Sequence, residues 1–153
     1  MRNMLFYCCM LFSLIPISCA TTNAVAEKIT IKSGQIPPKM AEEKFILIGK
    51  LYDRKSYDKY VEEEFSSYTG DYVLATQTEI DSKYANKEKY RYIMDYTRED
   101  KRNYTGKDYN ISTAYRYFIL DRVTGNKFVR KGASGAFKLE IRTYLKAIES
   151  IRK

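Results

Sequence analysis

Few side chains in this sequence are of types that do chemistry unaided. Cysteine occurs only at Cys8, Cys9 and Cys19, and histidine is absent. A thiol can attack, bind a metal or carry a lipid, yet all three precede anything that reads as a domain. Without histidine, Ser-His-Asp and Cys-His catalysis are excluded and the commonest zinc ligands are missing, so neither a metal nor a cofactor is expected. Acid and base work would have to draw on Glu62, Glu63, Glu64, Asp95, Asp100 and Asp121, and no spacing singles out a pair. The run Glu62-Glu63-Glu64 reads as a solvated helix face with Glu64 at its edge. Gly132 and Gly135 in RKGASGAF, beside Arg130 and Lys131, have the ingredients of an anion site at a helix start. Their spacing matches neither a P-loop nor a dinucleotide fingerprint, and an ordinary strand-to-helix turn is the plainer reading. No catalytic residue is assigned, and the reading leans away from an enzyme.

The surroundings of Cys19 say more. Arg2, a largely apolar run from Met4 to Ile17, and small residues at Ser18, Ala20, Thr21 and Thr22 lay out an export signal over residues 1–18. The run of about 14 residues falls short of the roughly 20 that a spanning helix needs. Ile17-Ser18-Cys19 followed by Ala20 resembles the lipobox of bacterial lipoproteins, with Pro16 standing where that family carries an aliphatic residue. The resemblance implies a diacylglycerol on Cys19, cleavage that makes Cys19 the first residue, and a membrane as the first partner. Ala24-Val25-Ala26 offers the alternative: an A-x-A cleavage releasing a soluble periplasmic or secreted enzyme or inhibitor that begins at Glu27. In either mature form no cysteine pair survives, so the domain has to stand on its core without a disulfide.

What would hold a functional surface in place is a single domain, since 153 residues suit one core and not two. Residues 19–43 contain Ser33, Gly34 and Pro37-Pro38 with little periodicity and read as a tether, leaving 44–153 as the domain. KFILIGKL, residues 44–51, is apolar enough for a strand covered on both faces. Tyr57, Tyr60, Val61, Phe65 and Tyr68 recur at helical spacing, with Ser56 as N-cap and Gly70 just past the end, and predict a helix over about 56–69. DYVLATQTEI, residues 71–80, follows as a second strand and completes a β-α-β unit. In KYRYIMDYT, Tyr90, Tyr92, Met94 and Tyr96 share one strand face; in ISTAYRYFILD, Tyr115, Tyr117 and Ile119 oppose Arg116, Phe118 and Leu120. DRVTGNKFVR reads as a hairpin turning at Thr124-Gly125-Asn126. Phe137, Ile141, Tyr144, Leu145, Ile148 and Ile151 form the stripe of a closing helix, although Lys138, Arg142 and Lys146 repel one another along its other face. The expected fold is α+β: a mixed, mostly antiparallel sheet with two helices on one face, in the order β-α-β-β-β-β-α.

Charge and tyrosine bound the partner. The formal net charge is +8, of which the signal takes only Arg2, and the chain has 15 tyrosines and no tryptophan. Tyrosines beside Arg91 and Arg116 have the makings of a nucleic-acid stacking face. Export argues against nucleic acid and points instead to an envelope protein or an anionic polymer. The charged stretch from Arg98 to Asn110 joins two well-patterned strands and is expected as an exposed loop, with Lys101, Arg102, Tyr104, Lys107 and Tyr109 as the possible binding surface. Taken together, the sequence reads as a non-catalytic envelope lipoprotein that binds a protein or polymer.

Overall fold

A computed structural model describes residues 17–105 and 108–152, apart from the side chains of 17–21, 101, 103, 105 and 108. The elements run α1 (Ile17–Ala26), a 3₁₀ turn (Pro38–Ala41), β1 (Leu47–Leu51), α2 (Lys55–Phe65), β2 (Tyr72–Thr76), α3 (Gln77–Asp81), β3 (Tyr92–Thr105), β4 (Asp108–Asp121), β5 (Lys127–Val129) and α4 (Phe137–Ile151). One five-stranded sheet has the order β2-β1-β3-β4-β5. β1 is parallel to both its neighbours, while β3 with β4 and β4 with β5 are antiparallel, and the β3/β4 ladder is much the longest. This is the α+β fold that the pattern implies.

Alternation along β3 and β4 sorts their side chains between two cores. Tyr92, Met94, Tyr115, Tyr117 and Ile119 join Val61 and Phe65 of α2 and Ile141, Tyr144 and Ile148 of α4 in the main core. On the opposite face Ile48, Ala75, Ile80 and Ile93 form a smaller cluster. Gly49 is needed where α2 crosses β1: a Cβ there would come within 2.6 Å of Leu74 and 2.8 Å of the Phe65 ring. Tyr90 departs from the expected face. It precedes β3 and packs with Tyr84 on the smaller cluster, rings 4.9 Å apart.

Three other expectations are corrected. The second strand stops at Thr76, whose side chain and that of Glu79 cap α3 reciprocally, so Gln77–Asp81 is helix. The first α/β helix ends at Phe65 and begins after Arg54 rather than Ser56. The Asp58 carboxylate accepts from Tyr52 N–H at 3.0 Å and Arg54 N–H at 2.8 Å and fixes that start.

The stretch expected as a tether is instead folded onto the domain. Ile29, Ile36 and Met40 are almost fully buried in the main core, and Thr22 and Ala26 are buried as well. Gln35, also buried, sews the segment down. Its amide nitrogen donates to the Lys28 carbonyl, its amide oxygen accepts from Lys131 N–H at 2.9 Å, and its backbone carbonyl accepts from the Tyr144 hydroxyl. Isolated apolar anchors in irregular backbone leave no period to read, which is why composition pointed to a linker.

Charge on α4 is explained by α2. Glu64, expected at the edge of a solvated face, is buried and takes both Arg142 Nε and Nη2 at 2.8 Å, while Glu63 meets Lys138 at 2.5 Å. The like-charged spacing on α4 is thereby relieved across the helix pair rather than along one helix.

Candidate functional site

Beyond Met94, β3 runs without β1 beside it, and beyond the Tyr115 to Ser134 bridge no strand among the described residues pairs with β4 on its other side. What continues is a two-stranded ribbon that pairs residue for residue to Thr105 and Asp108. The stretch expected as a loop, Arg98 to Asn110, is thus mostly strand. It was missed because charged residues occupy both faces, and strand preference comes from cross-strand pairing rather than from any apolar period.

Of the residues expected to bind, Arg102 and Tyr104 lie on β3 and Tyr109 on β4. Register sets Tyr104 against Tyr109, with rings 6.1 Å apart, and Arg102 against Ile111. Tyr104 is 75% exposed, Tyr109 59% and Ile111 47%. Lys101 is a β3 residue opposite Ser112, and Lys107 lies outside the described residues. The structure therefore brings together Arg102, Tyr104 and Tyr109, and adds Ile111. All four share the parity of Tyr92 and Tyr117, so their face is the outward continuation of the one that α2 and α4 cover nearer the core.

Ion pairs order the ribbon's base. Arg98 Nε meets Asp100 at 3.0 Å and Thr113 donates to the same oxygen at 2.8 Å. Arg116 Nε meets Glu99 at 2.5 Å. The bonds from Arg98 and Thr113 hold the Asp100 carboxyl below its ordinary pKa. Below them sits a ring cluster: Phe137 makes edge contacts with Tyr57, Tyr96 and Tyr115, with centroids 4.9–5.0 Å apart. The Tyr57 and Tyr115 hydroxyls are 2.6 Å apart, and burial with that bond pushes Tyr115 up to about 12.

Other polar clusters are internally satisfied. Asp95 takes Lys50 Nζ at 3.1 Å, the Tyr52 hydroxyl at 2.5 Å and Tyr96 N–H at 2.7 Å. Arg91 grips Asp121 through two bonds of 2.9 and 2.8 Å and reaches Glu43, which also accepts from the Tyr92 hydroxyl. Arg130, proposed for an anion site with the glycine turn, is directed at Glu140 and Gln35. A groove of about 560 Å³ between α2 and α4 is walled by the Glu63, Glu64, Lys138 and Arg142 pairs. Burial lifts Tyr52, Tyr92 and Tyr117, while hydrogen bonds lower Glu63, Glu79 and Asp100. Those shifts carry tyrosines and carboxylates away from the neutral range in which a general acid or base works. Among the described residues no group of three or more histidine, cysteine or acidic side chains is placed to hold a metal ion.

Cys19 lies in α1 by its backbone. A few residues on, Asn23 Oδ1 accepts from Lys146 of α4 at 3.1 Å, and Thr22 and Ala26 are buried. Among the described residues no helix is long and apolar enough to cross a membrane. No family model matches the chain, and neither a curated protein nor a solved structure matches it.

Proposed function

We propose that this chain is an exported lipoprotein of the cell envelope, held to a membrane through a diacylglycerol on Cys19, whose domain is a non-catalytic binding module. The observation that carries the reading is the packing of Thr22 to Ala26 on α4. Cleavage before Cys19 keeps these residues in the mature chain. Cleavage after Ala26 discards them and strips Lys146 of its Asn23 partner, which disfavours the released form. Three residues of helix, about 5 Å of rise, then separate the lipid from the folded body, so the domain is held close to the bilayer instead of on a long tether.

Binding is supported by the exposed aromatic and cationic ribbon. The partner is an envelope protein or an anionic polymer, in keeping with a net charge of +8. Mass spectrometry of the mature N-terminus tests the anchor: a diacylated Cys19 is expected, and Cys19→Ala should move the protein from the membrane to the soluble fraction. A free chain beginning at Glu27 overturns the reading in favour of a soluble periplasmic or secreted protein.

A further inference from the structure

The antiparallel register fixes which main-chain groups of the ribbon look outward. Tyr115 N–H donates to the Ser134 carbonyl at 2.8 Å, Ser134 N–H returns to the Tyr115 carbonyl at 3.0 Å, and the Tyr117 carbonyl accepts from Arg130 N–H at 2.8 Å. Both tyrosines therefore turn their backbone groups away from β3. In such a ladder every second residue does the same, and so does the residue facing it. The residues facing Tyr115, Thr113, Ile111 and Tyr109 are Arg98, Asp100, Arg102 and Tyr104. Since β1 leaves β3 at Met94, these four offer N–H and C=O groups to no strand among the described residues. Tyr96 N–H, the next outward group toward the core, is taken by Asp95 at 2.7 Å, so the open row begins at Arg98.

The β4 side is less open. Its row ends at the Ser134 bridge, and Gly135 lies against the Thr113 carbonyl, where an added Cβ would sit 3.4 Å away.

Open edges are ordinarily blunted by a bulge, a proline, shortness or charged side chains, and of these this edge carries the charges, which turn away like-charged strands rather than every strand. The β3/β4 ladder is paired without a bulge from Tyr92 to Thr105, and β3 holds no proline. A two-stranded ribbon is marginal in water, and a third strand is what would steady it. Charge selects the occupant. Asp100 is held by Arg98 and Glu99 by Arg116, leaving the edge with the cationic character of Arg102. A second copy of this edge would bring like charge against like on a chain of net charge +8.

We infer that the β3 edge from Arg98 to Tyr104 receives an extended acidic segment of a partner protein by strand addition, in line with β1. This rests on reading the domain as a binding module and names the chemistry of its partner. Main-chain bonds to the four outward residues give affinity. An acidic side chain of the added strand meets Arg102.

Hydrogen–deuterium exchange of the full chain in detergent micelles tests it, with a short peptide of alternating glutamate and valine as probe. The peptide should slow exchange across Arg98 to Tyr104 by roughly tenfold. Three changes should each remove that protection: lysine in place of glutamate in the peptide, N-methylation of alternate peptide amides, and Arg102→Pro, which deletes one outward N–H while sparing the ladder to β4. The methylated peptide leaves the protein unaltered, so the test stands even where the proline variant is poorly folded. No slowing at saturating peptide overturns the inference, as does equal slowing by the lysine or methylated peptide. Protection that rises with protein concentration alone also overturns it, in favour of self-pairing. None of these readouts depends on the state of Cys19, so a failed anchor and a failed docking edge are told apart.

Discussion

Tyr92 and Tyr104 stand on the same face of the same strand, yet one is fully buried and the other is 75% exposed. The difference is what lies over them. Near the core, α2, α4 and the 29–40 segment cover β3 and β4, and Tyr92, Met94, Tyr117 and Ile119 pack beneath them. Further out the two strands keep their register but none of the described residues covers the Tyr104, Tyr109 and Ile111 face. The β3/β4 ladder is common to the two halves, although only the inner one also has β1 and β5 beside it, so that shared ladder cannot be what makes one half the more stable. Covered apolar area does that, at about 25 cal/mol per Å², while the uncovered half keeps its edge and rings available for contact.

If cover makes the difference, removing cover should have the largest effect. Deleting residues 1–43 takes away Ile29, Ile36 and Met40, each worth about 1.5–3 kcal/mol when fully buried. Their sum is comparable with the lower end of a domain's whole stability of about 5–15 kcal/mol. The 44–153 fragment should therefore be largely unfolded by circular dichroism, whereas 22–153 should melt cooperatively. A fragment 44–153 with an unchanged melting temperature would show that the N-terminal segment rests on the core without stabilising it.

A single cut into the cover comes next. Ile148→Ala, in the middle of the α4 stripe, should cost about 2–5 kcal/mol in urea titration through lost transfer energy and the cavity left behind. A loss under about 0.5 kcal/mol would make α4 peripheral. This helix was legible in the sequence because Phe137, Ile141, Tyr144, Leu145 and Ile148 repeat at its own period, and all five are buried. Ile29, Ile36 and Met40 contribute to the same core yet were illegible, because irregular backbone delivers each one separately. The capping pair Thr76 and Glu79 did leave a sequence signal, a threonine followed three residues later by glutamate, at the point where the strand pattern broke. The bidentate grip of Arg91 on Asp121 left none, since it is made only when the start of β3 and the end of β4 are paired. The candidate surface was legible by composition but not by geometry: its charges suggested exposure, and only the ladder shows that Tyr104 faces Tyr109.

The Arg91 and Asp121 pair lets the covered half be loosened by pH. Burial alone would raise the Asp121 pKa, but the Arg91 guanidinium and the N–H groups of Val123 and Thr124 outweigh it and hold the carboxyl below its ordinary value. A group whose pKa is lower folded than unfolded contributes stability above the unfolded value, about 3.9 for aspartate, and loses it as pH falls through the folded value. Urea midpoints should therefore fall on going from about pH 6 to below about pH 3. In Asp121→Asn, which cannot ionise, part of that acid sensitivity should vanish. An unchanged slope would place the acid response elsewhere in the molecule.

The smallest effect on stability belongs to the uncovered half. Alanine or serine at Arg102, Tyr104 and Tyr109 removes exposed side chains that no helix covers, so the urea midpoint should move by no more than about 0.5 kcal/mol in free energy. Extending the set to Lys101 and Lys107 should change little more. Among the described residues the contact at risk is the Tyr104 and Tyr109 pair, and a cross-strand aromatic pair contributes roughly 0.2–1 kcal/mol locally. That loss should fray the ribbon tip, with faster amide exchange from Arg102 outward and no change at Tyr92 or Met94. A global loss well above about 1 kcal/mol would mean that the outer half supports the inner one, and the contrast between covered and uncovered strand would fail. A silent substitution set that also abolishes protection by the acidic peptide would sharpen the contrast: the same two strands would then be divided between holding the fold and meeting a partner.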